Sequence, residues 1–513
     1  MRSKMVAMPV LKDVSKCFAA VALVMASRES HAEANGNAKA FERADCEALN
    51  FSDSDLGEGV ECGWLTVPEF QEAPGRNIRL AVVIARATSK VHAKEPVLYL
   101  HGGPGIATLD VVPRALRGEA WPLLRDRHDL VFFDQRGTGR SGPAICSGFD
   151  RTLAELAAKG ISGGAKAATQ LAAARKCRTE LHALQIDPAS YSSSEIAADV
   201  EALRDALGID RWNIFATSFG SLPAADVMRR WPETVRAVLL DSAFPPNSTN
   251  RAELMSATAA SFAAFQRRCD TSTVCREQFP NLRRSAAAIG SRLDRSPIPT
   301  KGGRITGEAF RDALWTLMVD GSTAAYLPEL LRNAGNGDDD LVRRFVSVFG
   351  NSGYFGDYAH AQSWLVNCHD VFPRPSRDLL VRAIGENPDL AADVKPGAQD
   401  AMCDTLQPLH ADESFYRAFG NQIPTLILFG EFDPATPRTD AVSAREFFGN
   451  ATLIEIDGAS HAPFYTDACT KQIAVAFFSA PSAPVDQSCL ASRTPFAFAT
   501  ELEFDEFASS LAE

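Results

Sequence analysis

The chain has 513 residues, too many for one small core and suited to one large domain carrying an inserted second one. Its apolar share of 46% and charged share of 23% are those of a folded globular protein, not of a disordered chain. A formal charge of −12 and a pI of about 5.4 offer no basic footprint for a phosphate backbone, which argues against nucleic acid as a partner.

The first residues read as a leader. Arg2, Lys4, Lys12 and Lys16 precede a short apolar run from Cys17 to Ala26, and Ser30-His31-Ala32 offers a small-residue cleavage site. Residues 1–32 are therefore expected to be a secretory signal peptide. The apolar run is too short to span a bilayer. Cysteine usage agrees with export: 11 cysteines, one of them in the leader, leave an even set of ten. Pairing neighbours along the chain is the simplest connectivity, because each bridge then closes a local loop. No pair has the C-x-x-C spacing of a zinc or redox site.

Residues 33–247 are expected to form the first part of an α/β core. Strands are predicted at Ile78–Ala87, Pro96–Leu100, Leu130–Asp134, Trp212–Thr217 and Val235–Asp241, with helices at Ser194–Leu207 and Leu222–Trp231. Short apolar strands alternating with helices imply a largely parallel sheet buried on both faces. The rhythm breaks at Pro245-Pro246-Asn247, and residues 248–418 read as a helical cap. Leu254–Phe265, Phe310–Met318 and Leu327–Asn333 are its clearest helices. The core resumes over 419–485, with strands Thr425–Phe429 and Ala451–Ile456 and helices Asp440–Phe448 and Asp467–Phe478. The tail 486–513 is acidic and carries phenylalanines, and its pattern gives it no role.

Three segments carry chemistry. In Ala216-Thr-Ser218-Phe-Gly220 a strand turns sharply into a helix, so that the Ser218 hydroxyl projects from the sheet edge as a nucleophile. A serine needs a base and the base an orienting carboxylate, in the chain order Ser, acid, His. Of nine histidines only His461 follows a late strand. Asp433 lies on the loop before it, with Glu431 and Asp457 as rival acids. The third segment, His101-Gly-Gly103-Pro-Gly105, follows an early strand. Gly103 and Phe219, the residue after the nucleophile, are the expected oxyanion donors. Gly137, Gly139 and Gly142 match G-x-G-x-x-G, but Pro143 and Cys146 follow where a dinucleotide site would open a helix. Asp134 and Arg136 in that loop are expected to form a buried pair supporting the oxyanion loop.

Together, HGGPG, DQRGTGRSG, ATSFG, GEFDPATP and GASH resemble the prolyl and tripeptidyl aminopeptidases of the α/β-hydrolase superfamily. Glu61-Cys-Gly-Trp-Leu-Thr-Val-Pro68 and Trp364-Leu-Val-Asn-Cys368-His-Asp370 resemble the secreted tripeptidyl branch. The resemblance covers roughly residues 60–485. It implies an α/β-hydrolase fold with a helical cap, the triad Ser218, Asp433 and His461, and neither metal nor organic cofactor. It also implies a peptide substrate with a free N-terminus, whose amino group a cap carboxylate would hold; Asp370 is the candidate. The departures are Ala216 for the usual glycine and Ser242 where relatives often have glycine after Asp241. A secreted carboxylesterase would share every catalytic residue. A non-catalytic hydrolase-fold binding protein would have no need of them.

Overall fold

A computed structural model describes residues 41–71, 75–248, 251–350, 357–372, 377–391 and 397–511. The expected leader, 1–32, lies outside them. Nine strands form the main sheet: β1 (Phe41–Ala44), β2 (Val60–Pro68), β3 (Asn77–Ala85), β4 (Val97–Leu100), β5 (Leu130–Phe133), β6 (Trp212–Thr217), β7 (Val235–Asp241), β8 (Thr425–Gly430) and β9 (Ala451–Ile456). Their order is β1-β2-β3-β5-β4-β6-β7-β8-β9. The pairs from β1 to β5 are antiparallel, and from β5 to β9 every neighbour is parallel. The predicted strands fall within a few residues of the observed ones. β1 and β2 are additions at the antiparallel edge.

The central strands β4, β5, β6 and β8 are buried along their whole length, as their unbroken apolar runs require. Successive residues serve opposite faces. Ile214, Ala216, Leu240 and Phe429 pack on one side with Val200, Leu222 and Phe447. Phe215, Leu239 and Leu428 pack on the other with Trp121, Phe464 and Phe477. Helices therefore cover both faces, and every parallel strand ends at the same edge, where its loop can present a side chain.

The insertion is helical, its only sheet among the described residues being the two-residue pairing of Ile298–Pro299 with Arg304–Ile305. Its larger core gathers Phe265, Leu293, Phe310, Leu317 and Phe345, and takes in Phe504 from the tail. A second helical cluster extends beyond 248–418. Phe149 and Leu181, from helices Ser147–Ala158 and Gly163–Ala183, pack with Leu365, Met402 and Leu406. Those two helices interrupt the core between β5 and β6 and were not separated from it by pattern, because their alanine-rich turns give only a weak apolar stripe.

All five neighbour pairings are disulfides: Cys46–Cys62, Cys146–Cys177, Cys269–Cys275, Cys368–Cys403 and Cys469–Cys489. Cys368–Cys403 ties two helices of the smaller cluster, and Cys146–Cys177 ties its other two. Among the described residues no helix is long and apolar enough to cross a membrane.

Candidate active site

Ser218 follows β6 directly and takes φ +53°, a left-handed conformation that a β-carbon makes costly and that a tight strand-to-helix turn imposes. Helix Ser221–Arg230 leaves at once. The loop after β4 lies against the turn. A Cβ placed on Gly102 would stand 3.0 Å from Ser218 Cβ and 3.6 Å from its Oγ, so glycine lets the main chain lie against the serine without displacing it. Gly102 thus brings the loop after β4 against the serine turn, with Gly103 next to it in the chain and Phe219 next to Ser218. His101 is held by burial at a low pKa of about 4, despite an interaction with the Gly102 carbonyl, and is neutral at pH 7.

Sheet order assembles the rest. Thr217 pairs with Asp241 of β7, and Asp241 pairs with Leu428 of β8, so the chain ends carrying Ser218, Ser242 and Asp433 lie side by side. The loop after β9 then crosses back over them. Ala459 O accepts from Phe432 N at 2.9 Å, and Ala462 N donates to Ser242 Oγ at 2.8 Å. Further on, Tyr465 OH donates to Tyr99 OH at 2.6 Å, and Tyr99 OH to Thr217 Oγ1 at 3.4 Å. A Cβ on Gly430 would stand 2.1 Å from Ser460 O, so the crossing needs glycine there. His461 is carried from the far edge of the sheet toward the nucleophile.

His461 Nδ1 donates to Asp433 Oδ2 at 2.8 Å. An ionised carboxylate only accepts, so the proton sits on Nδ1 and leaves the Nε2 lone pair free to act as a base. Asp433 is buried and fully supplied with donors. Its Oδ1 accepts from the backbone N–H of Ala435 at 2.8 Å and of Thr436 at 2.9 Å. Its Oδ2 accepts from Ser242 Oγ at 2.9 Å and Thr436 Oγ1 at 2.7 Å. Burial pushes the Asp433 pKa up, but the His461 charge and these hydrogen bonds outweigh it and hold the carboxyl below its ordinary value. Burial likewise disfavours a charged His461, yet the Asp433 charge and hydrogen bond prevail and raise its pKa. Asp241 differs: burial pushes it up to about 8, only partly opposed by His461, so it carries little charge at pH 7. The Ser218 hydroxyl makes no hydrogen bond among the described residues.

The rival acids are committed elsewhere. Arg268 Nη2 binds Glu431 Oε2 at 2.9 Å and Asp457 Oδ1 at 2.6 Å. Two other expectations need correction. Asp134 and Arg136 do not pair. Asp134 accepts from the backbone N–H of Leu109 and of Arg140, both at 2.8 Å, and so pins the helix that follows the oxyanion loop. Gly139 is required beside it, since a Cβ there would stand 2.4 Å from Asp134 Oδ2; this glycine loop packs on a carboxylate, not on a phosphate. Arg136 is wholly buried and binds Asp199 through two nitrogens, at 2.8 and 2.6 Å, with Glu195 at 3.1 Å. Asp370 does not offer a carboxylate to a cleft either. It is 1% exposed, its Oδ2 accepts from Ser193 N at 2.8 Å, and its Oδ1 meets His369 Nδ1 at 2.7 Å.

Sequence reasoning missed Ser242 and Thr436. Ser242 takes φ +59°, a left-handed conformation that favours glycine, and its hydroxyl uses the position to bridge Ala462 N and Asp433. Thr436 stands three residues after Asp433, the spacing at which an Asp side chain accepts local N–H groups, so D-P-A-T was the available signal.

Both helical clusters touch the site. His461 N donates to Val319 O at 3.3 Å, at the end of helix Gly307–Val319. Ala359 N donates to Gly105 O at 2.8 Å, just before helix His360–Val366. One cluster abuts the histidine loop and the other the oxyanion loop.

A parallel sheet with a sharp serine turn and a histidine–carboxylate pair at one edge defines an α/β-hydrolase. Comparison with known families agrees: residues 95–270 match the alpha/beta hydrolase fold family, and residues 393–489 match the family described as TAP-like protein. The chain has the α/β-hydrolase fold, carries a TAP-like segment over residues 393–489, and is a serine hydrolase. It is 23% identical over 464 residues to the putative hydrolase YuaR of Escherichia coli K12, covering 84% of this chain and 88% of that one. It is 25% identical over 474 residues to the serine protease Hip1 of Mycobacterium tuberculosis H37Rv, covering 83% and 86%. With the tripeptidyl aminopeptidase of Streptomyces lividans it shares 28% identity over 224 residues, 42% of each chain.

Proposed function

We propose that the protein is an exported serine peptidase that removes short segments from the free N-terminus of peptides, with Ser218, His461 and Asp433 as its triad. The observation that carries this reading is the His461–Asp433 hydrogen bond at 2.8 Å, on a loop that crosses β8 and β7 toward Ser218. His461 Nε2 takes the Ser218 proton as Oγ attacks the scissile carbonyl, and the backbone N–H groups of Gly103 and Phe219 receive the oxyanion. Asp433 holds the imidazolium that forms. His461 then protonates the leaving amine, and water releases the acyl group by the same route. Similarity to enzymes named serine protease and tripeptidyl aminopeptidase supports a peptide over a simple ester. The five disulfides and the leader pattern of residues 1–32 support export, to the periplasm or the medium.

Purified protein should cleave peptide anilides with a free α-amino group and lose ~10²-fold or more in kcat/KM when that amine is acetylated, because a site that reads a charged N-terminus discriminates against a neutral amide. Anilides releasing one, two and three residues set the length of the segment. Indifference to acetylation would defeat the free-N-terminus reading, and a preference for a short acyl ester would make the protein an esterase instead.

A further inference from the structure

Asp433 and His461 sit on loops, and a loop holds a catalytic side chain only as well as its surroundings allow. From the cap, Ser261 Oγ donates to Phe432 O at 2.6 Å, and Ser460 Oγ bonds Met318 O. The opposite support comes from the C-terminal segment. Cys489 is bridged to Cys469, at the start of helix Ala468–Ser479. Arg493 then binds Asp467 at 2.5 Å and the Asp457 carbonyl at 2.8 Å.

Phe496 comes next and lies on the histidine loop. A Cβ on Gly458, which has φ +67°, would stand 2.3 Å from Phe496 Cβ, so Phe496 packs directly on the backbone of this turn. The same ring meets Phe432 edge-on, with centroids 4.9 Å apart, and Phe432 stacks on Phe265 of the cap at 4.2 Å. Beyond it, Ala499 N donates to Ala325 O at 3.1 Å. Helix Glu501–Ser510 then settles on the cap: Phe507 stacks on Tyr326 at 4.1 Å, Phe504 is buried, and Glu501 binds Arg332 at 3.1 Å.

We propose that Phe496 is a positioning residue for the reaction, and that residues 489–511 are a strap registering the acid loop, the base loop and the cap against one another. Phe496 contacts the residue before Asp433 and the residue three before His461, and it touches no reacting atom. One side chain therefore packs against both loops and, beside the direct Phe432 N–Ala459 O hydrogen bond, holds the spacing on which the Asp433–His461 hydrogen bond depends. The inference rests on the triad reading given above.

Phe496→Ala and Phe496→Leu test it, through kcat and KM on a free-amine peptide anilide, the rate of phosphonylation of Ser218 by a small fluorophosphonate, and thermal melting. Loosening the loops should lower kcat ~10- to 100-fold in Phe496→Ala, with the phosphonylation rate falling by a similar factor, KM nearly unchanged and the protein folded at the assay temperature. Phe496→Leu should fall between this variant and the parent, and it decides the question if the alanine variant does not fold. A lower melting temperature with kcat and phosphonylation unchanged would reduce the strap to a stabilising element and overturn the proposal. Failure of the parent protein to be phosphonylated at Ser218 would instead defeat the triad reading.

Discussion

Ser218→Ala should lower kcat ~10⁶-fold, to the residual rate that substrate binding and the oxyanion donors supply. The fold should survive. The Ser218 hydroxyl makes no hydrogen bond among the described residues, so its removal leaves no buried partner stranded. Its φ of +53° is imposed by the turn between β6 and the following helix, and alanine meets the same steric cost there. The check is steady-state turnover of a free-amine peptide anilide, with melting temperature measured alongside. Residual activity within about tenfold of the parent would mean that another residue attacks the carbonyl.

Asp433→Asn should cost ~10⁴-fold in kcat, because an amide cannot both accept from His461 Nδ1 and satisfy the donors already aimed at the carboxylate. Ser242 Oγ, Thr436 Oγ1 and two backbone N–H groups all point at Asp433. An asparagine nitrogen placed among them strands donors or forces the imidazole into the tautomer that lacks a lone pair on Nε2. The pH profile gives a second readout. His461 must be neutral to act as a base, and the Asp433 charge raises its pKa, so parent activity is lost as pH falls through a value above 6.5. Without that charge, burial dominates, the His461 pKa falls, and the acid limb of kcat/KM moves to lower pH. Asp241 does not replace the lost charge at pH 7, since burial pushes its own pKa up to about 8. An unmoved acid limb would show that Asp433 does not set the charge state of the base.

The chemistry was more legible in the sequence than its support. Strands such as Trp212–Thr217 and Thr425–Gly430 are continuous apolar runs bounded by turns, so their ends, and with them the expected positions of Ser218 and Asp433, follow from pattern. His461 emerged because only one histidine follows a late strand. What pattern could not reach depends on contacts between distant segments. Ser242 looks like a lost glycine until its hydroxyl is seen bridging the Asp433 and His461 loops. Arg136 and Asp134 are two residues apart and opposite in charge, yet each is taken by a different element, Asp199 on one side and the Leu109 and Arg140 amides on the other. Asp370 lies on the right segment, but a helix N-terminus and His369 use its oxygens. The tail carried phenylalanines with no period, because each meets a different partner: Phe496 the histidine loop, Phe504 and Phe507 the cap.

The most direct test of the central claim is to react the protein with a small fluorophosphonate and locate the adduct by mass spectrometry of its peptides. The mechanism predicts one phosphonyl group per chain, on Ser218, formed at a rate that rises with pH through the His461 pKa and drops sharply in His461→Ala. An adduct on any other residue, or none on a protein that still cleaves peptide anilides, would contradict the assignment of Ser218 as nucleophile.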